Sequence, residues 1–200
     1  SQPNRSMTIG IDASRANNTQ KTGVEWYAFF LIEELKKITP PETKVILYSE
    51  KPLAGELAVL PPNWSSKVLA WPPKRLWTQL RLSFEMLMHA PDVLFIPAHV
   101  FPLIHPKKTV MTVHDVAALR FPQSYNWFER WYSLWSAKYA VKNLWKVIAP
   151  SQFTKDELFS LTQKNKNIEV VYHGYDERYN VRKDQKEVEN ILHKYNIEKP

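Results

Sequence analysis

The sequence predicts an α/β fold: a doubly wound, mainly parallel sheet with helices on both faces. Three observations predict it. Short apolar runs recur along the 200 residues and read as continuous rather than alternating, as strands covered on both faces do. Stretches of ten or more residues with helical apolar spacing separate them. Polar residues and glycines gather just after the apolar runs, where an open parallel sheet receives its ligands.

Residues 1–6 form a polar arm or expression remnant, and Met7 to Asp12 a first strand followed by the polar loop ASRANNTQKTG. From Val24, the positions Val24, Tyr27, Ala28, Leu31, Leu35 and Ile38 make an amphipathic stripe, which Pro40-Pro41 ends. Lys44 to Ser49 is a second strand and Lys67 to Trp71 a third. A helix begins near Pro73, whose fixed φ suits a first turn, with Leu76, Leu80, Phe84 and Leu87 as its apolar stripe. DVLFIP and KKTVMTVHD are the fourth and fifth strands. A helix over Asn126 to Leu144 carries Phe128, Tyr132, Trp135 and Tyr139 on one side, a stripe that needs a partner surface. WKVIAP is strand six. Ser151 then caps the turn into TKDELFSL, where Thr154 and Glu157 have capping-box spacing. IEVVYHG is strand seven. Residues 7–176 make one domain, and 177–200, highly charged with the stripe Val188, Ile191, Leu192 and Tyr195, a linker helix leading outward.

Composition narrows the function. Aromatic residues at 13%, eight of them tryptophan, argue for large buried surfaces. With no cysteine there is no disulfide framework, thiol nucleophile or thiolate metal site, which is compatible with a reducing compartment. The opening residues lack the apolar stretch of an export signal. The longest apolar run, Val93 to Ile104, is broken by Pro97, His99 and Pro102 and falls short of the ~20 residues a spanning helix needs. The net charge of +7 suits anionic ligands, but the basic residues are scattered, which argues against nucleic acid. The segment Trp71, Lys74, Arg75, Trp77, Arg81 mixes aromatic and basic residues. It fits either an anionic membrane face or an ordinary packed helix.

Four glycines cannot build G-x-G-x-x-G or a P-loop, so ordinary NAD binding and P-loop chemistry are excluded. No G-x-S-x-G elbow, H-E-x-x-H or metal-ligand spacing is present. The strand ends offer Asp12, Ser14 and Arg15; Pro97, Ala98 and His99; His114 and Asp115; Ser151; and His173-Gly174. Thr22-Gly23 stands at a helix start, where free N–H groups and the helix dipole favour a phosphate; a glycine that simply turns the chain fits the same spacing. His114, with an ordinary pKa near ~6.5, suits a hydrogen-bond donor or general base, and equally a satisfied structural residue. Neighbours on a strand point to opposite faces, so His114 and Asp115 together decide nothing alone. His99 and His173 have the weaker claims, and His89, His105 and His193 are assigned none.

The ordered set is more specific than its members. GIDASR, TGVEWYAFFLIEEL, DVLFIPAHVFPL, TVMTVHDVAALRFPQSY, VIAPSQFTKDEL and IEVVYHGYD, spanning roughly Met7 to Asp176, resemble the N-terminal half of retaining glycosyltransferases of family 4, the group 1 transferases of the GT-B fold. The resemblance implies a two-domain enzyme with its active site between two Rossmann-like domains, of which this chain is the acceptor-binding half. The donor-binding half is absent, so the chain alone is expected to be inactive. It further implies transfer from a nucleotide sugar to a glycan or lipid-linked acceptor, with retention and without a metal or other cofactor. The expected location is the cytoplasm, including the inner face of its membrane. His114 matches a histidine near the reacting sugar, and Asp115 follows it as in the family's His-Asp pair. Thr22-Gly23 matches the first loop, which approaches donor phosphates and acceptor, although that loop usually holds more glycine. Ser151 matches the serine of an S-x-F-T/S-K segment, and His173-Gly174-Tyr175-Asp176 stands where Asn-Gly-Val-Asp is common. The catalytic candidates are therefore His114 and Asp115, and the substrate-binding candidates Ser14, Arg15, Thr22, Gly23, His99 and Ser151. A non-catalytic basic Rossmann-like binding module and a nucleotide-sugar epimerase of the same architecture are the alternatives.

Overall fold

The computed structural model describes residues 6–71, 76–98, 100–114, 116, 123, 126–174 and 185–195. Seven strands form a single sheet, all neighbours parallel: β1 (Thr8–Asp12), β2 (Lys44–Ser49), β3 (Trp64–Val68), β4 (Val93–Ile96), β5 (Thr109–Thr112), β6 (Lys146–Ala149) and β7 (Ile168–Val170). Their order is β3-β2-β1-β4-β5-β6-β7. The chain winds outward from β1 to β3, then returns to lay β4 against the other side of β1, with Ile9 opposite Val93. This is a Rossmann-like α/β sheet, and its winding reverses between β1 and β4, the place where such sheets open a ligand crevice.

Side chains alternate across each strand and feed two cores. On one face Ile11, Val45, Leu47 and Phe95 meet Ala28 and Ile32 of α1 (Gly23–Ile38). The other face carries Leu94, Ile96, Met111, Val147 and Ala149. These pack with Leu82 and Met86, with Ala137, Ala140 and Val141 of α3 (Trp127–Asn143), and with Leu158 of α4 (Gln152–Thr162). Each of the Val, Leu, Ile, Phe and Met side chains among these, fully buried, contributes roughly 1.5–3 kcal/mol. A last helix, α5, spans Gln185–Lys194, inside the expected linker.

The structure corrects several local readings. β3 lies three residues earlier than the apolar KVLAW run. As an edge strand bonded only to β2 it exposes Ser65, Ser66 and Lys67, while Leu69 anchors the loop beyond by donating its N–H to the Ser49 carbonyl. The buried stripe of α1 runs through Glu25, Ala28 and Ile32, and Ile38 projects into solvent. α4 starts at Gln152 with Ser151 as N-cap, its Oγ accepting from the Thr154 N–H at 3.1 Å; Thr154 is therefore inside the helix and does not open a capping box.

The second helical segment differs most. Residues Trp77–Leu82 form a π-helical turn that continues into α2 (Ser83–His89). Buried positions fall at Trp77, Leu82 and Met86, a step of five and then of four, as one extra residue in the π turn requires. The expected stripe of Leu76, Leu80, Phe84 and Leu87 is consequently the exposed side. Trp77 is buried and its indole N–H donates to the Leu69 carbonyl at 2.7 Å, so it cannot belong to a membrane face.

Candidate functional site

Because every strand is parallel, all seven carboxyl ends lie on one rim. Asp12 ends β1, is buried, and accepts from the Ser14 N–H at 2.9 Å and the Ser14 hydroxyl at 2.6 Å. Burial raises the Asp12 pKa, opposed by the Ser14 hydrogen bonds and Arg15. Arg15 turns to Glu25 at 3.3 Å, and Glu25 reaches back to accept from the Thr22 N–H at 3.1 Å and from the Thr22 hydroxyl. Three predicted residues, Ser14, Arg15 and Thr22, are thus tied to Asp12 and Glu25, and they brace the start of α1.

Burial pushes the Glu25 carboxyl upward, yet the bonds from Thr22, from its own backbone and from Arg15 outweigh it and hold the pKa below the ordinary glutamate value. A depressed carboxylate contributes stability that is present above the unfolded pKa and lost as pH falls through the folded one. Glu25→Gln should therefore cost about 1 kcal/mol at neutral pH, with the gap to wild type closing below the ordinary carboxylate range. Urea unfolding at the two pH values measures it.

Gly23 is the first residue of α1, and a Cβ built on it meets no atom within 4 Å. Nothing in the described fold requires glycine there, and the open space stands at a helix N-terminus, where N–H groups favour an anion.

One turn on, Tyr27 projects to the neighbouring strand ends. Its hydroxyl pairs with Thr112 Oγ1 at 3.0 Å, which fixes the ring over the end of β5. His114 lies edge-on to that ring, centroids 4.6 Å apart, and its Nε2 is 2.9 Å from the Pro97 carbonyl at the end of β4. A carbonyl only accepts, so Nε2 carries a proton. His173 packs on the other side of the cluster, 4.5 Å from the Tyr27 ring and 5.6 Å from His114. It arrives because Val171 still bonds to the Ala149 carbonyl at the end of β6, after which the chain crosses back toward α1. Burial first, and the proximity of His114 second, hold the His173 pKa below the ordinary histidine value.

The strand ends of β4, β5 and β7 and the first turns of α1 therefore converge beside the β1/β4 reversal. An open groove of about 770 Å³ meets this cluster at Gly23, Tyr27 and His173 and continues along α1 past Phe30 to Lys37. Ser151 stands on the same rim as a helix cap and joins no contact of the cluster among the described residues. His99 and Asp115 lie outside the described residues. Among the described residues no group of three His, Asp or Glu side chains could hold a metal ion.

Residues 21–179 match the sequence family described as Glycosyltransferase Family 4, most of the chain and all of the cluster. The chain belongs to that family. No curated protein matches this family 4 chain. Solved structures of HepE (Alr3699) from Anabaena resemble it in fold: the complex with UDP and glucose at 14% identity and TM-score 0.56, the complex with UDP-glucose at 13% and 0.56, and the complex with UDP at 13% and 0.53. In each, 95% of this chain overlays 50% of HepE, so the family 4 chain spans about half the length of that protein. With the family match, the seven-stranded sheet is the N-terminal domain of a GT-B glycosyltransferase.

The sequence hides Tyr27 as a site residue and gives His173 only a weak claim, for different reasons. Tyr27 sits at a helical spacing that reads as core, and only its hydroxyl, wasted in an apolar stripe, hinted otherwise. His173 had the right position at a strand end but no local sign that the chain would turn back.

Proposed function

We propose that this chain is the acceptor-side half of an enzyme that moves a sugar from a nucleotide-sugar donor to an acceptor hydroxyl with retention of anomeric configuration. The observation that carries the proposal is the convergence of Tyr27, His114 and His173 with the open start of α1 at the point where the sheet winding reverses. In this reading the Gly23 end of α1 receives the negative charge that gathers on the leaving diphosphate as the glycosidic bond breaks. His114, its ring held between the Pro97 carbonyl and the Tyr27 edge, hydrogen-bonds a hydroxyl of the sugar being transferred. Asp12 and Glu25 are committed to Ser14, Thr22 and Arg15, which supports a reaction that draws no nucleophile from these two carboxylates. Asp115 and Ser151 keep the roles that the family resemblance implies for them.

The likeness to a protein crystallised with UDP-glucose makes uridine diphosphate sugars the first donors to try. The test is sugar transfer by the protein carrying its second domain, alongside the 200-residue chain. The two-domain protein should transfer and the single domain should not; transfer by the 200-residue chain would overturn the half-site reading. Gly23→Ala should leave thermal stability unchanged, since a methyl there touches nothing in the fold. In the two-domain protein the same methyl should raise the donor KM about tenfold by crowding the diphosphate.

A further inference from the structure

The basic residues that look scattered along the sequence are partly gathered by the fold, at the rim opposite His114. Because the strands are parallel, the loops leading into β5, β6 and β7 lie side by side at the amino ends. These loops, residues 106–108, 142–146 and 163–167, hold Lys107, Lys108, Lys142, Lys146, Lys164 and Lys166 and no acidic residue. So strong a local excess, in a chain of net charge +7, makes a field that selects anionic partners.

The nearest carboxylates are already engaged. Glu169 of β7 is paired with Lys146 at 2.6 Å, and Asp92, in the turn before β4, accepts from the Thr8 N–H at 2.8 Å. Among the described residues Lys107, Lys108, Lys142, Lys164 and Lys166 have no ion-pair partner, and all five are exposed. Helix ends account for part of this. α3 stops at Asn143 and α4 at Thr162, so Lys142 and Lys164 stand near terminal carbonyls, which favour cations. Lys107 and Lys108 serve no such end, since β4 passes to β5 without a helix among the described residues.

The loops are also braced against one another. The Trp145 N–H donates to the Thr109 carbonyl at 3.1 Å, and the Val147 N–H to the Asn167 carbonyl at 2.8 Å. The Asn167 side-chain amide donates to the Val141 and Leu144 carbonyls, each at 3.0 Å. In the middle loop Trp145 is 47% exposed, with the Lys108 ammonium 5.7 Å from its ring centroid. An exposed indole on a braced surface is the kind of side chain that anchors a protein interface.

Chemistry selects among anionic partners. A nucleic-acid strand needs a row of aromatic platforms, or a helix or ribbon that enters a groove; one indole among three loops offers neither. A bilayer takes up an extended apolar face, and a single ring among lysines does not make one. These loops hold no arginine, so they present hydrated point charges rather than the planar forks that grip phosphates. Carboxylates spaced along an extended peptide suit that pattern. The starts of β5 and β7 are about 10 Å apart, a span that a few extended residues cover.

We propose that the amino rim of β5, β6 and β7 docks an acidic segment of a partner protein, its carboxylates on the lysines and an apolar residue over Trp145. This rim is at the far end of the sheet from His114, so docking leaves the candidate site open to substrate. The proposal stands apart from the transferase reading.

The test is titration of the 200-residue chain, at physiological salt, with a labelled peptide in which Glu and Ser alternate around a central Leu. Amide NMR signals of the three loops and the Trp145 indole N–H should shift, while those around His114 stay in place. Lys107→Glu together with Lys108→Glu should weaken binding about tenfold. Trp145→Ala should weaken it about fivefold. Lys51→Glu together with Lys194→Glu changes the net charge equally, outside these loops, and should leave the affinity within about twofold. The NMR mapping uses the unaltered chain, so the test does not depend on how a variant folds. No binding of the peptide overturns the proposal, as do shifts outside the three loops or equal weakening by both charge reversals. Tighter binding of a thymidine oligonucleotide, or of phosphatidylglycerol vesicles, by the same loops at the same salt overturns it in favour of that partner.

Discussion

Alanine in place of His114 is expected to lower kcat/KM for sugar transfer by the two-domain protein about a hundredfold, with the fold intact. The ring is positioned from two sides: its Nε2 proton goes to the Pro97 carbonyl at 2.9 Å and its flank rests on the Tyr27 ring. A polar group so fixed costs no reorganisation when charge develops on the sugar, which is where preorganisation acts most strongly. As a purely structural residue, His114 would lose on substitution its partly buried hydrogen bond to Pro97, about 1 kcal/mol of stability, together with its ring contacts, and nothing in turnover. A second readout separates the cases. His173 is held low by burial and then by His114, so in the variant its pKa, followed by proton NMR, should climb part of the way back toward the ordinary histidine value. The sign for stability follows. With a depressed folded pKa, the unfolded chain takes the proton first, so stability rises with pH between the two values, and the variant should show a shallower rise. A kcat/KM within about threefold of wild type would remove His114 from the site.

Valine in place of Gly10 is expected to destabilise the protein by about 3 kcal/mol or more, and alanine by about 1–3 kcal/mol. Gly10 is in the middle of β1, between Ile46 of β2 and Leu94 of β4. A Cβ there would stand 2.6 Å from Cε2 of Tyr48 and 2.8 Å from Cγ of Pro91. Neither neighbour can retreat easily: Pro91 is a buried ring in the turn before β4, and Tyr48 is among the largest fully buried side chains. The Tyr48 hydroxyl is pushed up to about 12, by burial first and then by the buried Glu85. Urea unfolding measures the loss, and Tyr48→Leu in the same chain should make Gly10→Ala less costly than the sum of the two single changes. Strict additivity would mean that the ring has room to move.

Burial on both faces made the sheet legible. A parallel strand inside a doubly wound fold needs an uninterrupted apolar run, and β2, at Lys44–Ser49, coincides with its run residue for residue. β3 eluded the same logic because an edge strand has one partner and can be mostly polar; its Ser65 and Ser66 carry no strand signal. The resemblance held because it rested on the order of short motifs, which survives when each is loose. The candidate site was visible only in part. Strand ends are marked in the sequence, so His114 and His173 could both be placed on the rim. What brings them within 5.6 Å is the turn of the chain after Val171 and the reach of Tyr27 from α1, contacts between segments far apart in the sequence. Ser14 and Arg15 illustrate the reverse: their chemistry drew them into the substrate list, and the structure gives each a partner within the protein.

The π turn at Trp77–Leu82 means that the outward face of this segment depends on how many residues precede Leu82, not only on which they are. Were the turn to close as an ordinary α-helix with its length unchanged, everything before it would swing by about 100° about the axis. Leu76 and Leu80 would rotate inward and Trp77 would give up its bond to Leu69, with no letter of the apolar pattern altered. One residue deleted there would instead let an ordinary α-helix form with Trp77 still on its buried face, so the extra residue and the π turn go together.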